Sequence, residues 1–325
     1  RAHHGSILSE MATGLRHVRH NPAIVATLVR ALAFFLFASA YWSLLPLIAR
    51  EAESGGSELY GILMALIGTG AVTGALLLPK LSGRLNSDQT VMLGTSGTAL
   101  ALVLLALMTT PPFLTLAAFL GGVSWIAVLT SFNVSAQMAL PDWVRARGLA
   151  VFLMVFFGSM ALGSVIWGQI ASASAVPVAL LIAAGGLILG MLGTRKFHIG
   201  QGENLDLSAA TSWPEAPALD NADASDQPAM VTVEYQIVDE NRSDFQAAIA
   251  AFSKERYRDG ATQWHLYQSV EDPQLWVETF HLPSWAEHLE QHKRVTKNDA
   301  DLQSQVHALD MRETGPVVRH FIVSK

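Results

Sequence analysis

The sequence predicts an all-α transmembrane bundle of six helices followed by a small α+β domain. Three observations carry that prediction. Six apolar runs follow one another over the first 200 residues, at about 24–49, 58–79, 90–109, 112–138, 148–170 and 176–194. Lys and Arg fall in alternate gaps between them. Beyond residue 200 the composition turns polar and acidic.

The whole chain has 325 residues, is 51% hydrophobic and only 15% charged, which is too apolar for an average soluble protein. Its net charge of −6 hides a split. Residues 1–200 hold 11 Lys/Arg against 6 Asp/Glu, and the remainder 10 against 21. Two parts in different surroundings are expected. There is no cysteine, so disulfide frameworks, thiolate catalysis and thiolate-bound metals are excluded. The chain opens on Arg1 without a signal-peptide layout, and is expected to be a piece of a longer product.

Each apolar run holds roughly 19 or more residues, enough to cross a ~30 Å hydrocarbon core at about 1.5 Å per residue. The runs are apolar on all sides, unlike surface helices of soluble folds. The alternate gaps carry Arg1, Arg16 and Arg19, then Lys80 and Arg84, then Arg145 and Arg147, then Arg195 and Lys196. The opposite set carries only Arg50. Since Lys and Arg stay on the cytoplasmic side, both ends of the six-span block are expected there. The segment "PDWVRARG" (141–148) then marks a cytoplasmic turn.

Within the first span Arg30 lies about 12 Å along the helix from Pro22. It either belongs to a substrate path, as intramembrane charges often do, or reaches back to the interface along its apolar stem. Tyr41 and Trp42 sit near the outer end, where aromatic anchoring is expected. In the fourth span Asn133 and Gln137 share a face one turn apart. They either line a cavity or bond a neighbouring helix. Small residues recur at packing spacing, as Gly70 with Gly74, Ser159 with Gly163, Ser164 with Gly168, and Gly186 with Gly190.

Three parts follow: spans over 1–198, an acidic Ala/Ser/Pro-rich linker over 199–229 read as flexible, and a folded domain over 230–325. In the last part "MVTVEYQIV" (230–238) alternates as a strand. A helix over 241–258 carries Phe245, Ile249 and Phe252 on one stripe, capped by Asn241 or Ser243. Strands follow at 262–270 and 275–282, a helix from Pro283 or Ser284, another over 299–309, and a strand at 316–324. The order β-α-β-β-α-β is ferredoxin-like.

Particular motifs resemble the major facilitator superfamily, closest to the branch of siderophore (enterobactin-type) and drug exporters. "GLRHVRHNPAI" (14–24) resembles the start of that family's seventh helix. "GALLLPKLSGRL" (74–85) resembles the loop after the eighth, through Gly74, Gly83 and Arg84, although the usual acidic residue is absent. Residues 140–172, with Pro141, Arg145, Arg147 and Gly148, resemble the tenth-to-eleventh loop and eleventh helix. The resemblance implies half of a twelve-span fold. Its N-terminal six-helix half is missing, so transport needs that half or a second copy.

The tail resembles antibiotic biosynthesis monooxygenase-like α/β barrel domains, on "VEYQIV", "YRDGATQWHLY", "WVETFHLPSWAEHLEQHKRVT" and the last strand. That implies a homodimer through the sheet. Weak catalytic candidates are Trp264, His265, His288 and His292, and none is assigned. His288 and His292 stand i, i+4, a spacing that suits a metal. However, "HLEQH" lacks the Glu of HExxH, and the two are expected on a solvated face beside Glu287 and Glu290. His265 and His281 are expected at the surface or in a dimer contact, and Trp264 and Trp285 in the core. No metal and no cofactor is assigned.

The leading expectation is a multi-pass transporter in the bacterial inner membrane, in contact with lipid and exporting a small-molecule cargo, with a cytoplasmic dimerisation or regulatory tail. It is not expected to be an enzyme. The alternative is a membrane-tethered, cofactor-free monooxygenase-like enzyme. The acidic soluble part argues against nucleic acid as a partner.

Overall fold

A computed structural model describes residues 7–52, 55–82, 84–200, 205–208, 210 and 225–324, with side chains placed from residue 14 onward except at 82. Ten helices and four strands lie among the described residues. They divide into two compact units. One is built from the described parts of Ala23–Ala139 and Gly148–Glu203, the other from those of Arg1–Pro22, Leu140–Arg147 and Asn204–Lys325.

The first unit holds the apolar helices α2 (Pro22–Glu51), α3 (Ser57–Ser82), α4 (Ser87–Leu107), α5 (Pro111–Met138) and α7 (Val176–Gly193), and α6 (Asp142–Ala173) from Gly148 onward. All six are long and apolar enough to span a membrane, as expected. The gap before α6 is shorter than the sequence suggested: only Ala139–Pro141 separates α5 from α6, and Asp142, Arg145 and Arg147 stand on helix.

Small residues set the crossings. A Cβ at Gly70 would stand 2.2 Å from the Phe119 carbonyl oxygen, and one at Gly122 2.1 Å from that of Ile67. Thus α3 and α5 touch backbone to backbone, which only glycine permits. Gly163 meets the Leu36 carbonyl and Gly186 the ring of Phe37, bringing α6 and α7 onto α2. Gly168, expected to pack with Ser164, faces open space instead. Most of α3 and α6 is exposed on the unit's own surface, with Leu76, Val72, Met154, Phe157 and Val165 among the outward apolar residues. Such a surface suits lipid, which needs no polar face.

Tyr41 corrects one expectation. It is buried and donates to the Ala118 carbonyl at 3.0 Å, so it joins α2 to α5 inside the bundle rather than marking an interface belt. A phenol in an apolar interior needs such a partner, and a helix-packing position supplies one.

In the second unit the sheet runs β2 (Gln263–Gln268), β3 (Leu275–Leu282), β1 (Ala229–Gln236), β4 (Val317–Ile322), all antiparallel, with Val233 opposite both Glu278 and Val318. This is the ferredoxin-like order the strand and helix sequence predicted. Helices α8 (Arg242–Arg258), α9 (Trp285–Arg294) and α10 (Lys297–His307) accompany it. The core gathers Tyr235, Phe245, Ile249, Phe252, Trp276, Phe280 and Val306. Ser284, and not Pro283, caps α9 by accepting from the Glu287 N–H at 3.1 Å. Asn241 sits at the N-cap of α8 but makes no side-chain cap bond, because a short 3-10 turn over Asp239–Asn241 leads into that helix.

Two features of this unit went unread in the sequence. Residues Ile7–His20 form a separate amphipathic helix, α1, ended at Asn21. Part of the region read as a flexible linker is pinned: the N–H groups of Lys297 and Asn298 bond the carbonyls of Ser208 and Asp206 at 2.9 and 3.0 Å. The remainder of that linker, apart from residues 199–200, 205, 207, 210 and 225–229, lies outside the described residues.

Candidate functional site

In the apolar unit, two ion pairs among the described residues share one carboxylate, Asp88. Asn86 and Gln89 form a reciprocal capping box at the start of α4, and this puts Asp88 in the first turn, where the helix N-terminus favours a carboxylate. Asp88 Oδ1 accepts from the Nη1 of Arg30 on α2 and from the Ile199 N–H at 3.1 Å. Its Oδ2 lies 2.9 Å from His198 Nδ1. One carboxylate thus ties α2, the start of α4 and the segment after α7. Arg30, offered by the sequence as either a path residue or an interfacial one, is buried and ion-paired.

Asn133 and Gln137 share a face of α5 as expected, but they hydrogen-bond each other. A groove of about 820 Å³ opens on a different stripe of α5, lined by Thr130, Ser131 and Val134, and across from it by Arg84, Asn86 and Thr90. Arg84 therefore faces a groove of mixed lining, with Leu78 and Met138 beside the polar residues. Gly83 lies outside the described residues. Gly74, matched to a loop motif, stands inside α3, where a Cβ would lie 2.6 Å from Ile126 Cγ2 and 3.0 Å from the Val123 carbonyl oxygen of α5. The structure places it at a helix crossing.

In the other unit the 140–147 segment meets α1 and the tail. Asp142 and Arg145 pair at 2.7 Å, and Arg145 Nη2 donates to the Leu140 carbonyl at 3.3 Å. The stem of Arg147 lies against Gly14. Pro141 is buried in the short connection, and Gly148 is buried about two turns on. Trp143, between them, receives the edge of His17 at 5.1 Å and the guanidinium of Arg294 at 5.0 Å. Glu287 accepts from both Arg16 and Arg294 at 3.0 Å. Burial first, and then the nearby Arg258 charge, push His17 down to about 3, so it is neutral at pH 7.

Arg258 is surrounded by acids. It bonds Asp259 at 3.0 Å, Asp299 at 2.9 Å and Glu255. Burial raises Glu255 to about 8 against the pull of Arg258, and raises Asp259 as well. Burial opposes the charge on Arg258, yet Asp259, Asp299 and Glu255 outweigh it and raise its pKa.

Within the tail, Glu278 is 0% exposed. It accepts from Arg256 at 3.0 Å, Tyr235 at 3.1 Å and the indole of Trp264 at 2.9 Å. Trp264 thus serves a buried charge as well as the core. His265 is exposed and stacked on Tyr267. His288 corrects the sequence reading: it is buried at 2% exposure, packed on Trp285, with His292 half-buried beside it. The Ser284 cap turns α9 so that this face meets the sheet. Burial, then His292, push His288 down to about 3.

Comparison with known families gives a match over nearly the whole chain. The profile described as "Transmembrane secretion effector" covers residues 2–325. The chain belongs to the transmembrane secretion effector family. It is a major-facilitator-like membrane transporter, a multi-pass protein with six candidate spans. A comparison with curated proteins returns no match. Among solved structures, a conserved protein from Methanosarcina mazei Go1 is similar over 31% of this chain and 97% of its own, at 16% identity and TM-score 0.27. At that score the likeness says nothing of function.

For a secretion effector, the residues that sequence reasoning missed are the partners of those it named. Asp88 was discoverable: it is the one acid in the gap that carries Lys80 and Arg84, on the same expected side as Arg30. Arg256 was discoverable too, since it extends the Phe245–Ile249–Phe252 stripe by one more turn. Nothing local in the sequence announces that Trp143 meets His17 and Arg294.

Proposed function

We propose that this chain supplies one six-helix half of an exporter for a small molecule (a siderophore, drug or amphipathic metabolite). It works by alternating access in the bacterial inner membrane, with a complementary six-helix half completing the path. In this reading residues 1–198 form the transport part and 230–325 a cytoplasmic regulatory tail, joined through 199–229. Both ends of the six-span block face the cytoplasm, as the Lys/Arg alternation supports.

The observation that carries the reading is the clasp of Arg30, Asp88 and the His198–Ile199 segment. A buried ion pair joining separate helices at one end of a bundle is a two-state element: formed, it closes that end, and broken, it lets the helices part. A regulatory role for the tail draws support from Glu287 and Arg294, which hold α1 and the first turn of α6. The tethered-oxygenase alternative gains no such support. The cavity beside His288 and His292 holds about 30 Å³, room for about one water and not for a quinol.

Efflux of candidate compounds from cells or vesicles carrying the protein tests the proposal. Transport should fall when Asp88 becomes Asn, and when Arg145 and Arg147 are replaced together. Equal efflux of every candidate with and without the protein would sink it.

A further inference from the structure

We propose that His288, His292 and His320 form a binding site for one late first-row divalent metal ion of the Zn(II) class, bridging α9 to strand β4. The three come from two elements. The Ser284 cap starts α9, and its pitch sets His288 and His292 one turn apart on one face. Strand β4 places His320 opposite Val231 of β1, at the sheet's edge. One ring nitrogen from each of the three lies within 4.8 Å of the others. The His288 ring centroid stands 4.6 Å from that of His292 and 5.0 Å from that of His320.

The protonation of His288 fits a ligand. Its Nδ1 lies 3.3 Å from Gln291 Oε1, an oxygen that only accepts, so Nδ1 carries the hydrogen and Nε2 keeps the lone pair. Nε2 is buried and has no hydrogen-bond partner. Buried polar atoms are almost always satisfied, and an aromatic packing cluster alone would leave this one bare. A metal ion satisfies it. The Gln291 contact is the outer hydrogen bond that ligating imidazoles commonly make, fixing ring and tautomer. Trp285, at right angles to His320 at 5.5 Å, packs against the third ring.

Imidazole suits zinc, copper, nickel and iron. With Zn–N bonds of about 2.0–2.1 Å, tetrahedral ligand nitrogens stand ~3.4 Å apart, so the rings need close by only about 1 Å or slightly more. His292 and His320 are half-buried. Three imidazoles leave a fourth position, and the water-sized cavity bounded by His288, His292, Glu255 and Asp299 adjoins it. The ion would pin α9, the helix whose Glu287 and Arg294 hold Arg16 and Trp143.

The test uses the full chain, purified in detergent, stripped with a chelator and titrated with Co(II) alone. We expect one ion per chain, the intense visible absorption of four-coordinate cobalt, and its displacement by Zn(II). H292N and H320N, at half-buried positions, should each weaken binding at least about tenfold, and Q291L about 10–100-fold with all three imidazoles kept. H265N, outside the cluster, should bind as the unaltered chain does. Circular dichroism confirms that each variant is folded. Absence of the cobalt bands in the unaltered chain would overturn the proposal, as would equal binding by the folded H292N/H320N double variant.

Discussion

Replacing Asp88 with Asn should destabilise the six-helix unit by about 2 kcal/mol. Asn keeps the shape and a carbonyl oxygen, so the Ile199 N–H can still be bonded, but the charge is gone. Arg30 is then left without its counter-ion, its side chain only 7% exposed. Removing one partner of a fully buried pair costs about 3–5 kcal/mol, because the remaining charge stays desolvated. Asp88 is 27% exposed, which moves the figure toward the roughly 0–1 kcal/mol of surface pairs. An intermediate value of ~2 kcal/mol follows. The assay is the thermal midpoint of the detergent-solubilised chain, which for a unit of this size shifts by about 2–4 °C per kcal/mol. Arg30→Met alone should cost less, since Asp88 keeps His198 and Ile199 as partners. The two changes together should cost less than their sum by about 1 kcal/mol or more. If Asp88→Asn leaves the midpoint within about 1 °C, or if the two changes add, the pair is not coupled and the clasp is no clasp.

The docking of α1 should depend on pH. Burial depresses the folded-state pKa of His17 to about 3, so the docked state keeps its full stability above the unfolded value near 6.5. It loses about 1.4 kcal/mol per pH unit as the pH falls from there toward 3. Comparing the unaltered chain with His17→Phe at pH 7 and pH 5.5 isolates that loss, and an identical shift in both chains would refute it. Gly122→Val should cost at least about 1–3 kcal/mol, read by the same melt, because its Cβ meets a backbone oxygen that cannot swing away. A neutral result there would mean that α3 and α5 do not touch at this crossing. Glu278→Ala should strip about 3–5 kcal/mol from the tail by stranding Arg256, and Glu278→Leu with Arg256→Met should recover part of it. Urea unfolding followed through Trp264 and Trp276 measures both, and equal loss in the two variants counts against the buried pair.

The six spans were legible because lipid imposes one rule on every residue of a segment, so length and composition suffice. The tail strands were legible for a related reason. A sheet covered on one face alternates, and β1 shows that alternation from Ala229 to Gln236. Individual partners were harder. Whether Asn133 bonds Gln137 or a cavity depends on which way α5 is rotated, and an all-apolar helix carries no polar face to declare that rotation. His288 was misjudged for the opposite reason. Its neighbours Glu287 and Glu290 suggested a solvated helix, yet Glu287 is turned toward Arg16 and Arg294 while His288 faces Trp285. A ten-residue helix has room for two working faces, and counting charges cannot separate them.

The stretch "PDWVRARG" shows how one set of residues answers two demands. The positive-inside rule needs only that Arg145 and Arg147 be cationic and lie between spans. Their surroundings are more specific than that. Asp142 in the first turn of α6 complements the helix dipole and holds Arg145 one turn on, whose guanidinium also bonds the Leu140 carbonyl before the helix begins. The stem of Arg147 lies on Gly14, where a larger residue on α1 would collide with it. Trp143 is the residue that topology alone does not require. An exposed indole at a turn gains nothing from the sidedness rule, whereas one held by an imidazole edge and an Arg face gains from both contacts. Trp143→Ala therefore separates the two demands. The spans and their sidedness should survive the change, while α1 loses the indole that His17 packs on and becomes more open to protease near Arg16 and Arg19. Protection of those sites equal to that in the unaltered chain would show that the contacts of α1 with the tail, Arg16 on Glu287 and His20 stacked on Tyr257, hold it without Trp143.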